Sequence, residues 1–144
     1  MKVHKLTPNL EVQSIEETVS FYESVLGFSM IMAVPDTQDG IEQSLSKDKQ
    51  YVYALVKKDT VEVMFQRTDS FQRDVEFAKG LPIGASASFY MEMDGLDEFY
   101  NAIKDKISDG TEPKNAWYGM REFYIKDNNG YILGFAEKLT QEQD

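Results

Sequence analysis

Carboxylates and aromatic residues alternate with apolar residues along several short segments of this chain. Successive side chains of a β-strand point to opposite faces, so the apolar residues of such a segment mark its core face. In the segment TVEVMFQ, residues 60–66, the core face carries Val61, Val63 and Phe65. The residues that the same rule places on the opposite faces of the segments are Glu11, Tyr53, Glu62, Met64, Tyr90, Glu92, Glu122 and Tyr124.

A surface of this composition suits a flat or cationic organic ligand. A cation over an aromatic face gains about 0.5–2 kcal/mol, depending on how far it is desolvated, and a partly buried carboxylate adds attraction. Two carboxylates on one wall could also serve as general acid and base, but their spacing alone does not show this. We therefore predict ligand binding without catalytic residues.

Two residues near this surface have two interpretations each. Trp117, the only tryptophan, precedes the segment MREFYIKD and could stack on a planar ligand or cover the rim of the core. Arg121 could anchor an anionic group or form a surface ion pair with Glu122 or Asp127, and the surface pair is the interpretation we favour.

Other kinds of site have little support. The chain has no cysteine, so it has no disulfide, thiolate nucleophile or thiolate metal site. His4 is the only histidine, and we expect it to be exposed. No carboxylate cluster has convincing ligand spacing, and no nucleophile elbow, P-loop or dinucleotide fingerprint occurs. We predict neither a metal nor another cofactor.

The composition is that of a globular protein with a strongly acidic balance. The chain of 144 residues has 42% hydrophobic residues and a net charge of −10. This charge opposes binding to nucleic acids and to anionic membranes. Because no long apolar run or signal-peptide pattern occurs, we expect a cytoplasmic protein.

The elements that carry these residues repeat along the chain. Residues 14–26 have apolar residues at helical spacing, a capping box from Ser14 to Glu17, and Gly27 as a stop. A second helix carries Leu96, Phe99, Tyr100, Ile103 and Ile107 on one face, at an offset of 81 residues.

Strand-like segments complete each copy. In the first copy, one segment precedes the helix, at residues 5–12, and three follow it, at 28–34, 51–58 and 60–67. In the second copy, one segment precedes the helix, at residues 86–93, and three follow it: a weak one at 112–118 and strands at 120–127 and 130–138. The order is thus βαβββ twice, in one α+β domain with modules at about 1–69 and 85–144, joined by residues 70–84. The polar loop 35–50 and the connection 67–85, with a short helix at 71–79, could each be a linker or a lid.

The chain resembles the vicinal-oxygen-chelate superfamily, which includes glyoxalase I, extradiol dioxygenases and bleomycin-resistance proteins. The signals are FYESVLGF at residues 21–28 and WYGMREFYIKDNNGYILGF at 117–135. The latter is similar to the WGxREFxxxDPDGNxLxF pattern of the bleomycin-resistance branch, with Tyr118 inserted before the glycine and Asn128-Asn129 in place of Pro-Asp. The resemblance implies two curled half-barrel sheets around a shared cavity, and a homodimer.

The resemblance also implies where metal ligands of the superfamily would lie. Those positions fall at Thr7, Glu62, Ser88 and Gly134 in this sequence. Metal-using members need several strong donors, and Glu62 alone does not supply them. Gly134 stands in an apolar strand, where glycine is unfavourable unless something needs the room. We expect a ligand or a neighbouring side chain to occupy that room.

We thus predict a metal-independent protein that sequesters a cationic or aromatic small molecule, as in antibiotic resistance. The predicted binding residues are Tyr53, Glu62, Met64, Tyr90, Glu92, Trp117, Glu122 and Tyr124. One alternative is a metal-dependent lyase, isomerase or dioxygenase with an unconventional site. A second is an interaction or regulatory module whose cavity has no ligand.

Overall fold

The predicted βαβββ order occurs twice in the computed structural model of the chain, which describes residues 1–84 and 86–140. The chain divides into two compact units, Met1–Pro82 (unit 1) and Ile83–Asp144 (unit 2). Each unit contains an open, mixed, four-stranded sheet. The α+β class and the repeated module order are therefore confirmed.

Unit 1 consists of one sheet, two helices and a 3₁₀ turn. Its elements are β1 (Asn9–Val12), α1 (Ile15–Ser24), β2 (Ser29–Pro35), β3 (Tyr51–Lys58), β4 (Val61–Arg67), α2 (Thr68–Asp74) and the turn Glu76–Ala78. The strand order is β1-β4-β3-β2. β1 runs parallel to β4, and the other pairs are antiparallel.

Helix α1 has the ends that its sequence predicts. The Ser14 hydroxyl accepts a hydrogen bond from the backbone N–H of Glu17 at 3.1 Å, which satisfies one of the free amides of the first turn. Gly27 has φ +79°, a conformation that other residues adopt at a cost, and it turns the chain so that the Phe28 N–H reaches the Tyr22 carbonyl. The buried Tyr22 ring lies 4.7 Å from that of Phe65 on β4, so α1 is packed on the core face of the sheet.

Unit 2 repeats this arrangement. Its elements are β5 (Ser88–Glu92), α3 (Leu96–Ile103), β6 (Lys114–Asn115), β7 (Met120–Lys126) and β8 (Ile132–Lys138). The strand order β5-β8-β7-β6, with β5 parallel to β8, matches that of unit 1. The sequence offset of 81 residues therefore corresponds to a structural repeat.

The N-terminus of helix α3 is capped by a side chain from a strand and not by the residue that precedes the helix. Gly95 precedes it and has no side chain to offer. The Glu137 carboxylate on β8 instead accepts hydrogen bonds from the N–H groups of Gly95 and Leu96, at 2.9 and 3.1 Å. The aromatic core beneath α3 includes Phe123 and Phe135, whose ring centroids lie 5.4 Å apart.

Several element boundaries differ from the prediction. The first strand begins at Asn9 rather than at residue 5, and the weak segment 112–118 is reduced to the two residues of β6. α3 ends at Ile103, so Ile107 lies beyond it. The short helix expected at 71–79 is α2, which begins earlier at Thr68, followed by the 3₁₀ turn.

The polar loop between β2 and β3 is fixed to unit 1 through Tyr51. The buried Tyr51 phenol donates to Glu42 at 2.7 Å and accepts from the Ser46 N–H at 2.8 Å. Glu42 also forms an isolated antiparallel bridge with Ala33 on β2. The loop thus covers part of the β2 edge. Within the described residues, no helix is long and apolar enough to span a membrane.

Candidate functional site

The sheet of unit 2 places Tyr90 and Tyr124 on either side of Gly134. The register pairs Gly134 on β8 with Tyr90 on β5 and with Tyr124 on β7, so all three share one face. The two rings lie 6.4 Å apart, and a Cβ atom on Gly134 would lie 2.8 Å from Tyr124 Cε1 and 3.1 Å from Tyr90 Cδ1. The room left by the glycine is therefore filled by its two neighbours.

Glu122, two residues before Tyr124 on β7, accepts hydrogen bonds from two phenols. The Tyr90 hydroxyl donates to Oε2 at 2.5 Å, and the Tyr118 hydroxyl donates to Oε1. Donation to Glu122, followed by desolvation, raises the pKa of Tyr118 to about 12. Desolvation is the first cause that raises the pKa of Tyr90, and the bond to Glu122 is the second. Both phenols therefore keep their protons at neutral pH.

Trp117 lies at the tip of the hairpin that joins β6 to β7. The turn is closed by hydrogen bonds between Ala116 and Met120 (2.7 Å) and from the Gly119 N–H to the Ala116 carbonyl (3.3 Å). The Trp117 side chain is 95% exposed and contacts the Tyr118 ring edge-to-face, with 5.5 Å between centroids. The interpretation that Trp117 covers the core is wrong, since the hairpin holds it out in solvent.

A groove of about 420 Å³ lies beside this hairpin, entirely within unit 2. Its lining residues are Thr111, Glu112, Lys114, Asn115, Ala116, Trp117, Glu122 and Tyr124. Three of the predicted binding residues therefore meet at one groove. The lining carries two carboxylates and one ammonium group, which leaves it acidic.

Two hydrogen bonds with Thr111 hold the backbone of Tyr124 in place. Its backbone N–H donates to the Thr111 hydroxyl at 2.9 Å, and its carbonyl accepts from the Thr111 N–H at 2.8 Å. Desolvation, and then the nearby charge of Glu122, raise the pKa of the Tyr124 phenol. The half-buried ring thus offers a neutral, fixed surface at the groove.

Glu92 and Arg121 lie at the surface of unit 2. Glu92 is exposed and pairs with Lys138 at 3.8 Å, and it is not among the groove residues. Arg121 pairs with Asp97 on α3, through contacts of 3.0–3.1 Å, and also donates to Asn115. Arg121 therefore forms an ion pair at the surface, as expected, but the predicted partners Glu122 and Asp127 are wrong. Alternation along β7 turns Arg121 away from Glu122.

Three predicted binding residues, Tyr53, Glu62 and Met64, lie on the sheet of unit 1. Each is half-buried, and Tyr53 on β3 and the other two on β4 are on the face opposite α1. Glu62 accepts a hydrogen bond from Lys5 and lies 4.0 Å from Lys57. The Lys5 bond is the first cause that lowers the pKa of Glu62. Desolvation, followed by the charge of Glu62, raises the pKa of Tyr53.

Helix α2 covers one end of this face, although strand alternation alone predicts that the face is uncovered. The Gln66 amide donates to Ser70 and to Asp74, at 2.8 Å each, and its oxygen accepts from Asn9 at 3.0 Å. Glu11, expected on the open wall, is 93% buried, with Gln72 within 3.4 Å. The connection 67–85 thus includes a cover over part of the sheet. A polar network spread over three elements carries no local signal in the sequence.

The residues at the metal positions of the superfamily do not fit a metal ion. Within residues 1–84 and 86–140, no group of three or more His, Cys, Asp or Glu side chains could hold one. His4 is exposed. Glu62 is already paired with an ammonium group, which repels a cation, and the room at Gly134 is filled by two rings.

Sequence reasoning missed Tyr118 and the Thr111–Ala116 side of the groove. The sequence shows Tyr118 only as an insertion. An inserted aromatic residue in a loop is nevertheless a signal of function, because loops often carry binding residues. The groove side lies on an irregular segment and on β6, where periodicity gives no face.

Two sheets with the same strand order, each in a βαβββ module, define a βαβββ repeat protein. The sequence model of the Glyoxalase/Bleomycin resistance protein/Dioxygenase superfamily matches residues 4–135, and the chain belongs to this superfamily.

Relatives and solved structures agree with this assignment. A bleomycin resistance protein of Geobacillus stearothermophilus is 24% identical over 136 residues, which are 92% of this chain and 95% of that protein. A bleomycin-binding protein complexed with bleomycin is 19% identical and has a TM-score of 0.62, with 94% of this chain and 99% of that one covered. A glyoxalase-related enzyme from Clostridium phytofermentans is also 19% identical, with a TM-score of 0.66 and coverage of 96% and 98%. The two structures show the shared fold.

Proposed function

We propose that this protein is a metal-independent binding protein that sequesters a flat organic cation, with Trp117, Glu122 and Tyr124 of unit 2 at the centre of its site. The observation that carries the proposal is the exposure of Trp117 beside an acidic groove. A large aromatic side chain in solvent gains free energy when a planar ligand covers it.

Charge and rings act together in this groove. Glu122 and Glu112 attract a cation, and Trp117 and Tyr124 offer faces over which the cation is stabilised by about 0.5–2 kcal/mol per contact. The volume of about 420 Å³ lies within the range of sites for drug-sized molecules. Bleomycin, the ligand of one structural neighbour, is therefore a suitable first probe, and antibiotic resistance is the role we propose.

Fluorescence provides a direct test, because Trp117 is the only tryptophan in the chain. We expect bleomycin, or the flat cation ethidium, to change the Trp117 emission saturably with one site per chain. Glu122→Gln is expected to weaken binding about tenfold or more, because hydrogen bonds to charged groups contribute about 1.5–3 kcal/mol. Trp117→Ala is expected to weaken it several-fold in a calorimetric titration.

The matched control is Glu76→Gln, which removes the same charge from an exposed carboxylate of unit 1. If binding depended only on the net charge of −10, both glutamine variants would weaken it equally. That result, or the absence of binding by any flat cation, would refute the proposal.

Metal independence needs a separate titration. We expect no stoichiometric binding of nickel, zinc, manganese or iron to the purified protein, and unchanged ligand affinity after treatment with a chelator. A stoichiometric metal site that Glu62→Gln abolishes would favour an enzyme of the same superfamily.

The other predicted residues and the assembly remain proposals. Tyr53, Glu62 and Met64 of unit 1 and Glu92 at the end of β5 stay proposed binding residues, and alanine variants at each show whether ligand affinity changes. A homodimer is expected, since exposed strand edges invite a partner, and light scattering measures its mass.

A further inference from the structure

Tyr90 and Tyr118 do not line the groove, yet both hold a residue that does. Their hydroxyls reach Glu122 from two separate elements, β5 and the tip of the β6–β7 hairpin. Each phenol uses a different carboxylate oxygen, Oε2 for Tyr90 and Oε1 for Tyr118. Both tyrosines are about half exposed, at 46% and 50%, so core packing does not account for their placement.

This arrangement removes the rotational freedom of the carboxylate. A carboxylate group has about four acceptor positions, two on each oxygen. One position on each oxygen of Glu122 is taken by a phenol, and the other remains. The phenols stay protonated at neutral pH, so they remain donors. The two phenol bonds thus leave one acceptor on each oxygen of Glu122, a residue that lines the groove.

We propose that Tyr90 and Tyr118 are positioning residues that orient Glu122 for paired N–H donors, so that the site selects amidinium or guanidinium cations over cations without N–H groups. The inference rests on the proposed function and deepens it. A flat cation with two parallel N–H groups matches both free acceptors at once. A quaternary ammonium ion can use only the charge and the aromatic faces.

The fixed orientation also lowers the entropy cost of binding. A glutamate side chain that is free in solution loses rotamer entropy when it binds a ligand. Here two hydrogen bonds have already restricted the carboxylate, so binding costs less. The edge-to-face contact of the Tyr118 ring with Trp117 restrains the tyrosine in turn.

Three small probes separate the contributions. Benzamidinium carries a ring, a charge and paired N–H donors; phenyltrimethylammonium carries a ring and a charge; benzamide carries a ring and an uncharged amide. Each is titrated against the full-length protein by calorimetry and by Trp117 emission. We expect benzamidinium to bind about tenfold more tightly than phenyltrimethylammonium, and benzamide to bind least.

The variants Tyr118→Phe and Tyr90→Phe remove one hydroxyl each and keep the rings. Each is expected to weaken benzamidinium about fivefold, as for the loss of one net hydrogen bond. Phenyltrimethylammonium should change less than twofold, because its contacts do not use the orientation of Glu122. Tyr100→Phe, which removes a hydroxyl on α3 outside the groove, is the matched control and should change neither.

The outcomes distinguish the two proposals. If both cations bind the wild-type protein equally, or if each Tyr→Phe variant weakens both cations to the same extent, the positioning role is refuted and the proposed function stands. If benzamidinium affinity is unchanged in both variants, the positioning role is also refuted. If neither cation binds the wild-type protein while ethidium does, the positioning role alone is refuted. If ethidium and bleomycin also fail to bind, the proposed function fails, and the inference fails with it.

Discussion

Replacing Gly134 by alanine tests whether the tyrosine pair fills the site. The added Cβ would lie 2.8 Å from Tyr124 Cε1 and 3.1 Å from both Tyr124 Cδ1 and Tyr90 Cδ1. Such contacts are shorter than the 3.5–4.0 Å optimum between carbon atoms. Both rings must therefore move, and overpacking of this kind costs about 1–3 kcal/mol.

An opposing effect must be subtracted from this cost. Alanine restricts the unfolded chain more than glycine does, which stabilises a protein by about 0.4–1 kcal/mol where the backbone permits it. The net expectation is a loss of about 1–2 kcal/mol in the free energy of unfolding, or roughly 3–6 °C in Tm for a chain of this size. Urea unfolding followed by circular dichroism measures the change.

Two comparisons isolate the cause. Gly40→Ala adds the same methyl group at a glycine with nothing within 4 Å, so it should be neutral or slightly stabilising. In a Tyr124→Ala background, Gly134→Ala should lose most of its cost, because the nearest ring is gone. The steric reasoning is refuted if Gly134→Ala is as harmless as Gly40→Ala, or if its cost is the same with and without the Tyr124 ring.

Three further predictions concern charge and capping. Glu137→Ala is expected to lower the free energy of unfolding by about 1 kcal/mol, because it leaves the first amides of α3 uncapped. Urea unfolding measures this change, and Glu137→Gln should lose less stability. An unchanged unfolding midpoint in Glu137→Ala would contradict the capping role. The side-chain bond from Arg67 is the main cause that lowers the pKa of Asp69 to about 2, so the stabilisation by this pair should be full above about pH 4 and lost as the pH falls through 2. Asp69→Asn should then cost on the order of 0.5 kcal/mol at pH 7 and clearly less at pH 2, where Asp69 of the folded protein is partly protonated, in matched urea titrations. Lys114→Ala removes the ammonium group that lines the groove, so it should tighten ethidium binding about twofold at low salt and less at high salt. If the variant and the wild-type protein bind ethidium equally at both salt concentrations, Lys114 does not lie near the ligand.

The repeat and the core faces could be predicted because they follow from local patterns. The alternation in TVEVMFQ correctly placed Val63 and Phe65 in the core, and the helical spacing of residues 14–26 correctly placed α1 on the sheet. The sequence Asn128-Asn129-Gly130 favours a tight turn, and the structure has one: the Asp127 side chain accepts from the Asn129 and Tyr131 N–H groups, and Gly130 takes φ +91°. Each of these signals lies within a few residues of its consequence.

The features that the sequence did not predict depend on contacts between distant segments. Glu137 caps a helix that begins 41 residues earlier, and α2 covers a sheet face through Gln66, Ser70 and Asp74. Arg121 forms an ion pair with Asp97, which is distant in sequence, and not with a neighbouring residue. Tyr118 was identified as an insertion, but its target, Glu122, depends on how the hairpin folds back along β7.

Gly134 connects the fold of unit 2 to the proposed selectivity. A larger residue there would displace the rings of Tyr124, which lines the groove, and of Tyr90, which holds Glu122. The glycine therefore sets both the aromatic surface and the orientation of the carboxylate. It follows that Gly134→Ala should lower the affinity for benzamidinium more than that for phenyltrimethylammonium, because Tyr90 can then no longer hold Glu122 as it does here. An equal loss for both cations would mean that the alanine disturbs only the Tyr124 surface.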